Sequence, residues 1–216
     1  MGLAGEPAGS VTVRPAGTAD WGAVRDLCCL TANAGNPIER PRWPFFAELW
    51  IGPYQRIVPE WTYVAEVAGQ VVGYLTGCPD TVAFRRARPL RCTAPLLLRV
   101  AAGRFGWGSD PRRFVRRTLR REQGPEERLL ARLPAGFLVD YPAHLHVNAA
   151  AGWRGRVVGR RLIERYVGDL RARRVRGVHL FCGAAARGFY LRLGFEELGS
   201  LPLRSGAGIH ALGRRL

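Results

Sequence analysis

The sequence has 216 residues, of which 33 are basic and 17 are acidic, so its formal net charge is +16. That length is typical of one domain with a sizeable core, and the 47% hydrophobic fraction excludes a wholly disordered chain. No apolar run reaches the roughly 18 residues of a membrane span, and the first ten residues lack a signal-peptide pattern. We therefore expect a cytoplasmic protein with no membrane partner.

The basic residues and the cysteines further restrict the class of protein to which the sequence can belong. Every basic residue is arginine, so part of the positive charge reflects the composition of a GC-rich genome. The charge still favours anionic ligands such as nucleic acid, acidic surfaces or a phosphorylated cofactor. The five cysteines are odd in number and lack CxxC spacing, which argues against a disulfide framework and a metal site.

The small, glycine-rich residues 1–10 predict a loose tail. Hydrophobic periodicity predicts a single α/β domain over 11–216. The predicted elements, in chain order, are a strand at 11–15, helices at 21–33 and 43–51, irregular chain to residue 60, strands at 61–66 and 71–76, a strand over 137–147, a helix at 158–173, a strand at 178–182, a helix at 184–193 and a last strand at 209–212. This order predicts a mixed central sheet flanked by helices.

An arginine-rich, mainly helical segment spans residues 81–135, before the fourth strand. It carries 14 arginines against five acidic residues when Asp80 at its edge is included. In the run 111–121 the arginines recur in pairs every four residues and so line one helical face. That face is either an ordinary solvated surface or an anion- or nucleic-acid-binding patch.

The segment from Arg154 to Arg161 follows a predicted strand and opens a predicted helix. The first amides of a helix have no partner within the helix, and together with the helix dipole they suit a pyrophosphate. Gly155 and Gly159 allow a ligand to approach the backbone closely. The segment has neither the Walker ending nor the GxGxxG spacing, so it is either another kind of phosphate loop or a structural turn.

A second segment, Ala186 to Phe195, predicts an amphipathic helix. Taken together, the two segments resemble the GNAT superfamily of acetyl-CoA-dependent N-acetyltransferases. Arg154 and Gly159 match the ends of that family's pyrophosphate loop, although Val157 stands where its middle glycine is usual. The later family motif matches Ala186, the pair Phe189-Tyr190 and the pair Gly194-Phe195.

Around the predicted fourth strand, the sequence resembles a smaller group within this superfamily. Residues 141–147, with 155–163 after them, look like bacterial GNAT proteins similar to the C-terminal acetyltransferase-like domain of O-GlcNAcases. The resemblance implies acetyl-CoA as cosubstrate, with its pantetheine arm pairing with the fourth strand at Leu145 and Val147. It also implies cofactor contacts from the loop and helix start, at Arg154, Gly155, Arg156, Val157, Val158, Gly159 and Arg160.

Acetyl transfer to an amine needs an uncharged nitrogen, and therefore a base or a water relay, because a free alkyl amine has a pKa of about 10. Family bases lie shortly before the Val147 position, so the candidates are Asp140, Tyr141 and His144. Asp140 and His144 would share one face of a straight strand. Tyr190 matches the family's general acid, and the alternative for it is packing against the pantetheine.

The resemblance predicts an N-acetyltransferase whose acceptor is a small-molecule amine. The aromatic-rich segment 36–63 would wall the pocket with Trp43, Trp50, Trp61 and Tyr63. The insertion 81–135 starts and ends near the cleft, and would cover the acceptor site or form homodimer contacts. The alternatives are a catalytically silent acetyl-CoA-binding module and a nucleic-acid-associated basic protein, although we expect no specific nucleic-acid partner.

Overall fold

The computed structural model describes residues 10–155, 157–203 and 208–216. The predicted tail over 1–10 therefore lies outside the described residues except for Ser10. Seven strands are formed within the described part of the chain. They are β1 (Thr12–Pro15), β2 (Thr62–Val67), β3 (Gln70–Cys78), β4 (Ala143–Ala149), β5 (Gly177–Gly183), β6 (Glu196–Pro202) and β7 (Gly208–Arg215).

The strands form one sheet in the order β1-β2-β3-β4-β5-β7-β6. The pair β4 and β5 is parallel, and every other neighbouring pair is antiparallel. A tight turn at Ala68 and Gly69, both with positive φ, joins β2 to β3 as the hairpin pattern predicts. The mixed central sheet predicted from the sequence is confirmed.

Ten α-helices flank the sheet in the described residues. They are α1 (Trp21–Leu30), α2 (Trp43–Trp50), α3 (Gly52–Ile57), α4 (Thr81–Arg88), α5 (Ala94–Ala101), α6 (Ser109–Leu119), α7 (Pro125–Leu130), α8 (Phe137–Asp140), α9 (Val157–Ala172) and α10 (Ala184–Leu191). None of the helices in the described residues is both long and apolar enough to span a membrane.

The main core lies between α9 and one face of the sheet. The apolar stripe predicted for this helix is completely covered, because its members recur at helical spacing and meet the strands on one side. They are Leu162, Ile163, Tyr166, Val167 and Leu170, each at most 2% exposed. A second cluster, with Val24 and Leu27 of α1, covers the opposite face at Val64 and Tyr74. Side chains that alternate along β2 and β3 therefore serve two different cores.

Three parts of the predicted order are wrong. Residues 137–140 form helix α8, and the strand begins only at Ala143, because a short apolar run fits either element. The chain after α2 is not irregular but continues into α3. The strand β6 was missed, because only Leu201 within it is buried and Gly199 interrupts the pattern.

The arginine-rich segment 81–135 is helical, as expected, and contains α4 to α7. Within it, Phe114 and Val115 of α6 pack near Phe45, while the arginines of the run 111–121 lie on the outer part of the molecule. Helix α4 is capped by Asp80, the residue before it, whose carboxylate accepts a hydrogen bond from the Ala83 amide at 2.9 Å. This cap fixes the point at which the chain leaves β3.

Candidate functional site

The parallel strands β4 and β5 pair only at their beginnings. Partner residues are Ala143 with Val178 and His144 with His179, although β4 runs on to Ala149 and β5 to Gly183. Beyond His144 the facing edges of the two strands diverge. Main-chain groups along such edges need hydrogen-bond partners, so the opening suits an extended ligand that pairs as another strand would.

The opening leads to the N-terminus of α9. Gly155, with φ of 70°, turns the chain into this helix, which begins at Val157. The first amides of a 16-residue helix are unpaired within the helix and suit phosphate oxygens. The Val157 side chain is 49% exposed, whereas Val158 is fully buried. A valine in place of the family's middle glycine is thus accommodated by pointing outwards.

The arginines around this loop have different environments. Arg154 donates hydrogen bonds to the carbonyl oxygens of Ala149, at 3.3 Å, and Gly35, and so ties the loop to the end of β4. Arg160 forms an exposed ion pair with Glu164 at 2.7 Å. Arg156 lies outside the described residues. Among the described groups, the donors that suit a pyrophosphate are therefore chiefly the amides at the start of α9.

The two motifs that carried the resemblance meet in space. A Cβ atom built on Gly159 would lie 3.1 Å from Cζ of Phe189, so glycine at this position allows α10 to approach α9 closely. Phe189 in turn packs against Tyr190, with ring centroids 5.0 Å apart. The cleft, the loop and α10 thus form one continuous wall, whose amides and open strand edge fit acetyl-CoA.

Tyr190 is 8% exposed and lies in the main core between Phe189 and Phe195. Burial, with a smaller contribution from Cys182 at the far end of β5, raises the pKa of the Tyr190 phenol above its usual value. The phenol therefore keeps its proton at neutral pH. A protonated phenol is the form that a general acid requires.

A cavity of about 110 Å³ lies at the start of the divergence. His144 and His146 of β4, and His179 of β5, face it, whereas Leu145 and Leu180 have their side chains in the core under α9. The cavity is therefore on the opposite face of the sheet from α9. Its walls come from α2 to α4 and from α7.

His144 is held through both ring nitrogens. Its Nδ1 lies 2.8 Å from Thr81 Oγ1, and Thr81 donates its own proton to the Pro142 carbonyl oxygen at 2.7 Å. Thr81 must then accept from Nδ1–H, which leaves Nε2 to accept from the Tyr54 hydroxyl at 3.0 Å. Burial, with smaller contributions from the neighbouring imidazoles and Arg88, holds the pKa of His144 well below its usual value. His144 is therefore a neutral, oriented imidazole.

The backbone of His144 is fixed by Tyr166 of α9. The Tyr166 hydroxyl lies 2.9 Å from the His144 carbonyl oxygen and 3.0 Å from that of Cys78, and shares its one proton between them. It accepts from the Cys78 amide at 3.0 Å. Its ring occupies the space where a Cβ of Gly77 would be. Gly77 is therefore needed for the contact that positions His144.

Asp140 does not join this site. Because residues 137–140 are helical, Asp140 and His144 do not share a strand face, and that prediction is wrong. Its carboxylate is half exposed and pairs with Arg215 at 3.2 Å. Asp140 is not among the residues that line the cavity.

The aromatic wall also differs from the prediction. Trp50 lines the cavity, but Trp43 packs near Cys29, and Trp61 and Tyr63 pack against Tyr166 on the other face of the sheet. The lining residues that the sequence did not single out include Tyr54, Thr81, Phe84, Arg88 and Glu126. Both ends of the segment 81–135 reach the cavity, as its position in the chain predicts.

No protein-family model matches the sequence. The structure is similar to that of SsHAT, with 31% identity and a TM-score of 0.71, covering 95% of this chain and 98% of that one. It also resembles a GCN5-related N-acetyltransferase from Kribbella flavida, with 19% identity, a TM-score of 0.54 and coverage of 95% and 98%. A third, yncA of Salmonella typhimurium, solved with acetyl-CoA, has 14% identity, a TM-score of 0.52 and coverage of 96% and 94%.

The fold and the divergent strands define an N-acetyltransferase architecture. The chain belongs to the GNAT superfamily, the GCN5-related N-acetyltransferases. By family it is an acyltransferase, and one of the similar structures, that of yncA, was solved with acetyl-CoA.

Proposed function

We propose that the protein transfers an acetyl group from acetyl-CoA directly to the primary amine of a small molecule, with both substrates bound together. The observation that carries this proposal is that the gap between β4 and β5 and the cavity begin at the same two residues. His144 and His179 are the last paired residues before β4 and β5 diverge, and both also line the cavity on the other face. An amine in the cavity would thus face a thioester held between the strands.

The cofactor would lie along β4 and the start of α9. The pantetheine arm would pair with the open edge of β4 at Leu145 and Val147, and the pyrophosphate would accept from the amides of Val157, Val158 and Gly159. Gly155 leaves room for the phosphates. Arg154 and Arg160 would add positive charge beside the loop, and Arg156 is proposed with them. Acetyl-CoA supplies the acyl group in activated form, as a thioester.

The chain's own groups would then manage charge and protons. As the amine nitrogen bonds to the acetyl carbon, the Val147 amide donates a hydrogen bond to the carbonyl oxygen, which is gaining negative charge. The nitrogen becomes a stronger acid as this bond forms. His144 accepts the proton that the nitrogen loses, through the Tyr54 hydroxyl that donates to its Nε2. Tyr190 gives its proton to the sulfur when the carbon–sulfur bond breaks, and both groups re-equilibrate with water.

Three finer points belong to the same proposal. The volume of the cavity, about 110 Å³, favours a small acceptor. Within the superfamily, we propose that the chain groups with bacterial proteins similar to the C-terminal acetyltransferase-like domain of O-GlcNAcases. The expected setting is the cytoplasm, with the outer face of the segment 81–135 as the homodimer contact.

The test is an assay of thiol release from acetyl-CoA in the presence of a panel of primary amines, with mass spectrometry of the amine. We expect release of CoA that depends on the amine, and an acetyl group on its nitrogen. One-to-one binding of acetyl-CoA with no acetylated amine would instead favour a silent binding module. Binding of RNA in place of acetyl-CoA would favour the nucleic-acid alternative.

A further inference from the structure

Two helices place charged side chains on the walls of the cavity. Arg85 and Arg88, three residues apart and so neighbours on α4, lie on one wall. Glu126 and Glu127 of α7 lie on another. The cavity is thus lined by both signs of charge as well as by the three imidazoles.

The four charged groups are not equally paired. Glu127 forms an ion pair with Arg117 at 4.0 Å. Within the part of the chain that the structure describes, no carboxylate lies within ion-pair distance of Arg88, and no cation lies within that distance of Glu126. Arg88 is half-buried, as is Glu126. A half-buried charge without a partner costs free energy, which a bound ligand of opposite charge offsets.

Arg88 and Glu126 act on the same set of groups. The positive charge of Arg88 is among the causes that lower the pKa of His144 and of His146, the latter to about 4. It also opposes the effect of burial and Glu127, which raise the pKa of Glu126 to about 7. Arg88 and Glu126 therefore lie within electrostatic range of each other without forming an ion pair.

His146 places another imidazole on the wall of the cavity. It faces the cavity beside His144, with ring centroids 6.2 Å apart, and beside Tyr54 at 6.0 Å. Within the part of the chain that the structure describes, the His146 ring makes no hydrogen bond, in contrast to the two made by the His144 ring. A neutral imidazole with open nitrogens can accept from, or donate to, a bound amine.

We propose that the acceptor is an amine that also carries an anionic group, with the anion bound by Arg88 and the amino group held between Glu126 and His146. This inference rests on the proposed function and specifies its acceptor. Carboxylate and phosphate share the relevant chemistry, since a guanidinium binds either one bidentately. A diamine is disfavoured, because its second ammonium would face Arg85 and Arg88.

The test compares amines that differ only in the anionic group. We would measure kcat/KM for β-alanine against propylamine, and for glucosamine 6-phosphate against glucosamine. In the wild-type protein the anionic member of at least one pair is expected to be preferred by about tenfold or more, as a charged hydrogen bond allows. The pair that shows the preference tells carboxylate from phosphate.

Arg88→Gln is expected to bring that ratio close to one. The ratio is the measure, because Arg88 also lowers the pKa of His144 and its removal changes the rate with both members of a pair. Arg86→Gln, on the same helix but outside the cavity, is the matched control and should keep the wild-type ratio. Equal or reversed preference in the wild type, or an unchanged ratio in Arg88→Gln, would overturn the inference.

A binding measurement separates this inference from the proposed function. Each amine is titrated by calorimetry into protein saturated with CoA. Anion-dependent binding that Arg88→Gln removes, in a protein that acetylates none of the amines, would support the inference and refute the catalytic proposal. Acetylation of uncharged amines alone would support the catalytic proposal and refute the inference about the anionic group.

Discussion

The Tyr54 hydroxyl lies 3.0 Å from Nε2 of His144, although 90 positions separate the two residues in the chain. Tyr54 comes from α3, and its ring stacks on Phe84 of α4 with centroids 5.0 Å apart. Thr81, at the start of α4, holds the other nitrogen of the imidazole. Helices α3 and α4 therefore fix the orientation of the one strand histidine that we propose as the proton acceptor.

Removing either partner of this contact should slow transfer. We expect His144→Asn to lower kcat by about a hundredfold, the usual contribution of a general base, and Tyr54→Phe to lower it by a similar factor, because the proton reaches His144 through the Tyr54 hydroxyl. If Tyr54 acts through His144, the double variant should be no slower than His144→Asn alone. Steady-state thiol release measures all three variants.

Tyr63→Phe is the matched control for that series, because its hydroxyl is bound to Asp169 at 2.8 Å on the other face of the sheet. It should retain kcat. Strictly additive effects of the Tyr54 and His144 changes would show that the two residues act separately.

Tyr190→Phe tests the proposed general acid. The variant keeps the ring packing with Phe189 and Phe195, so acetyl-CoA binding should stay within about twofold. The kcat should fall by about a hundredfold, since the departing thiolate then lacks a proton donor. Calorimetry gives the affinity and thiol release gives kcat. A variant with weaker binding and normal kcat would show that Tyr190 only packs against the cofactor.

Gly77→Ala tests the contact that positions His144. A Cβ atom at this position would overlap the ring of Tyr166, which is fully buried and has no room to retreat. We expect a loss of about 1–3 kcal/mol in the free energy of unfolding, as for other overpacked cores. The kcat should fall too, since Tyr166 holds the His144 carbonyl. Urea denaturation and activity measure the two effects.

The control for that substitution is Gly168→Ala. Gly168 is in the middle of α9 with nothing within 4 Å of its Cβ position. Alanine there should stabilise the protein by about 0.5–1 kcal/mol through helix propensity. Equal effects of the two substitutions would argue against close packing at Gly77.

The cavity histidines predict acid sensitivity. Burial lowers the pKa of His146 and of His179 to about 4, below the usual value of about 6.5 in an unfolded chain. The folded state therefore binds fewer protons than the unfolded state over that interval. Stability is fully present above pH 6.5 and is lost as pH falls towards 4, by about 2 kcal/mol per histidine near pH 5.

His146→Gln should weaken this dependence. The change in unfolding free energy between about pH 7.5 and 5 should be smaller in the variant than in the wild type by about 2 kcal/mol. Chemical denaturation at the two pH values gives the difference. An identical pH dependence would mean that His146 titrates normally in the folded protein.

Local patterns predicted most of the fold. The stripe on α9 was evident because every fourth or third residue is apolar, and the hairpin β2–β3 because a glycine turn separates two alternating runs. The strand β6 was not evident, since it is the edge strand beside β7 and has little apolar surface to cover. Helix α8 was not evident either, because four apolar or acidic residues carry no period.

The candidate site also has parts that the sequence predicts and parts that it does not. The loop before α9 and the pair Phe189-Tyr190 are contiguous motifs, so the sequence indicated both. Tyr54 and Glu126 reach the cavity only through the packing of α3 and α7 on the sheet, which no local pattern encodes. Asp140 was predicted beside His144 because a straight strand was assumed, and the helical turn at 137–140 removes that relation.

The most direct test of the central claim is calorimetric titration of the purified protein with acetyl-CoA at moderate salt, with ATP titrated in parallel. The account predicts one-to-one binding of acetyl-CoA in the micromolar range and much weaker binding of ATP, because the opened edge of β4 contributes to the first and not the second. Equal, salt-sensitive binding of both would contradict it, because general attraction to an arginine-rich surface would then explain the result.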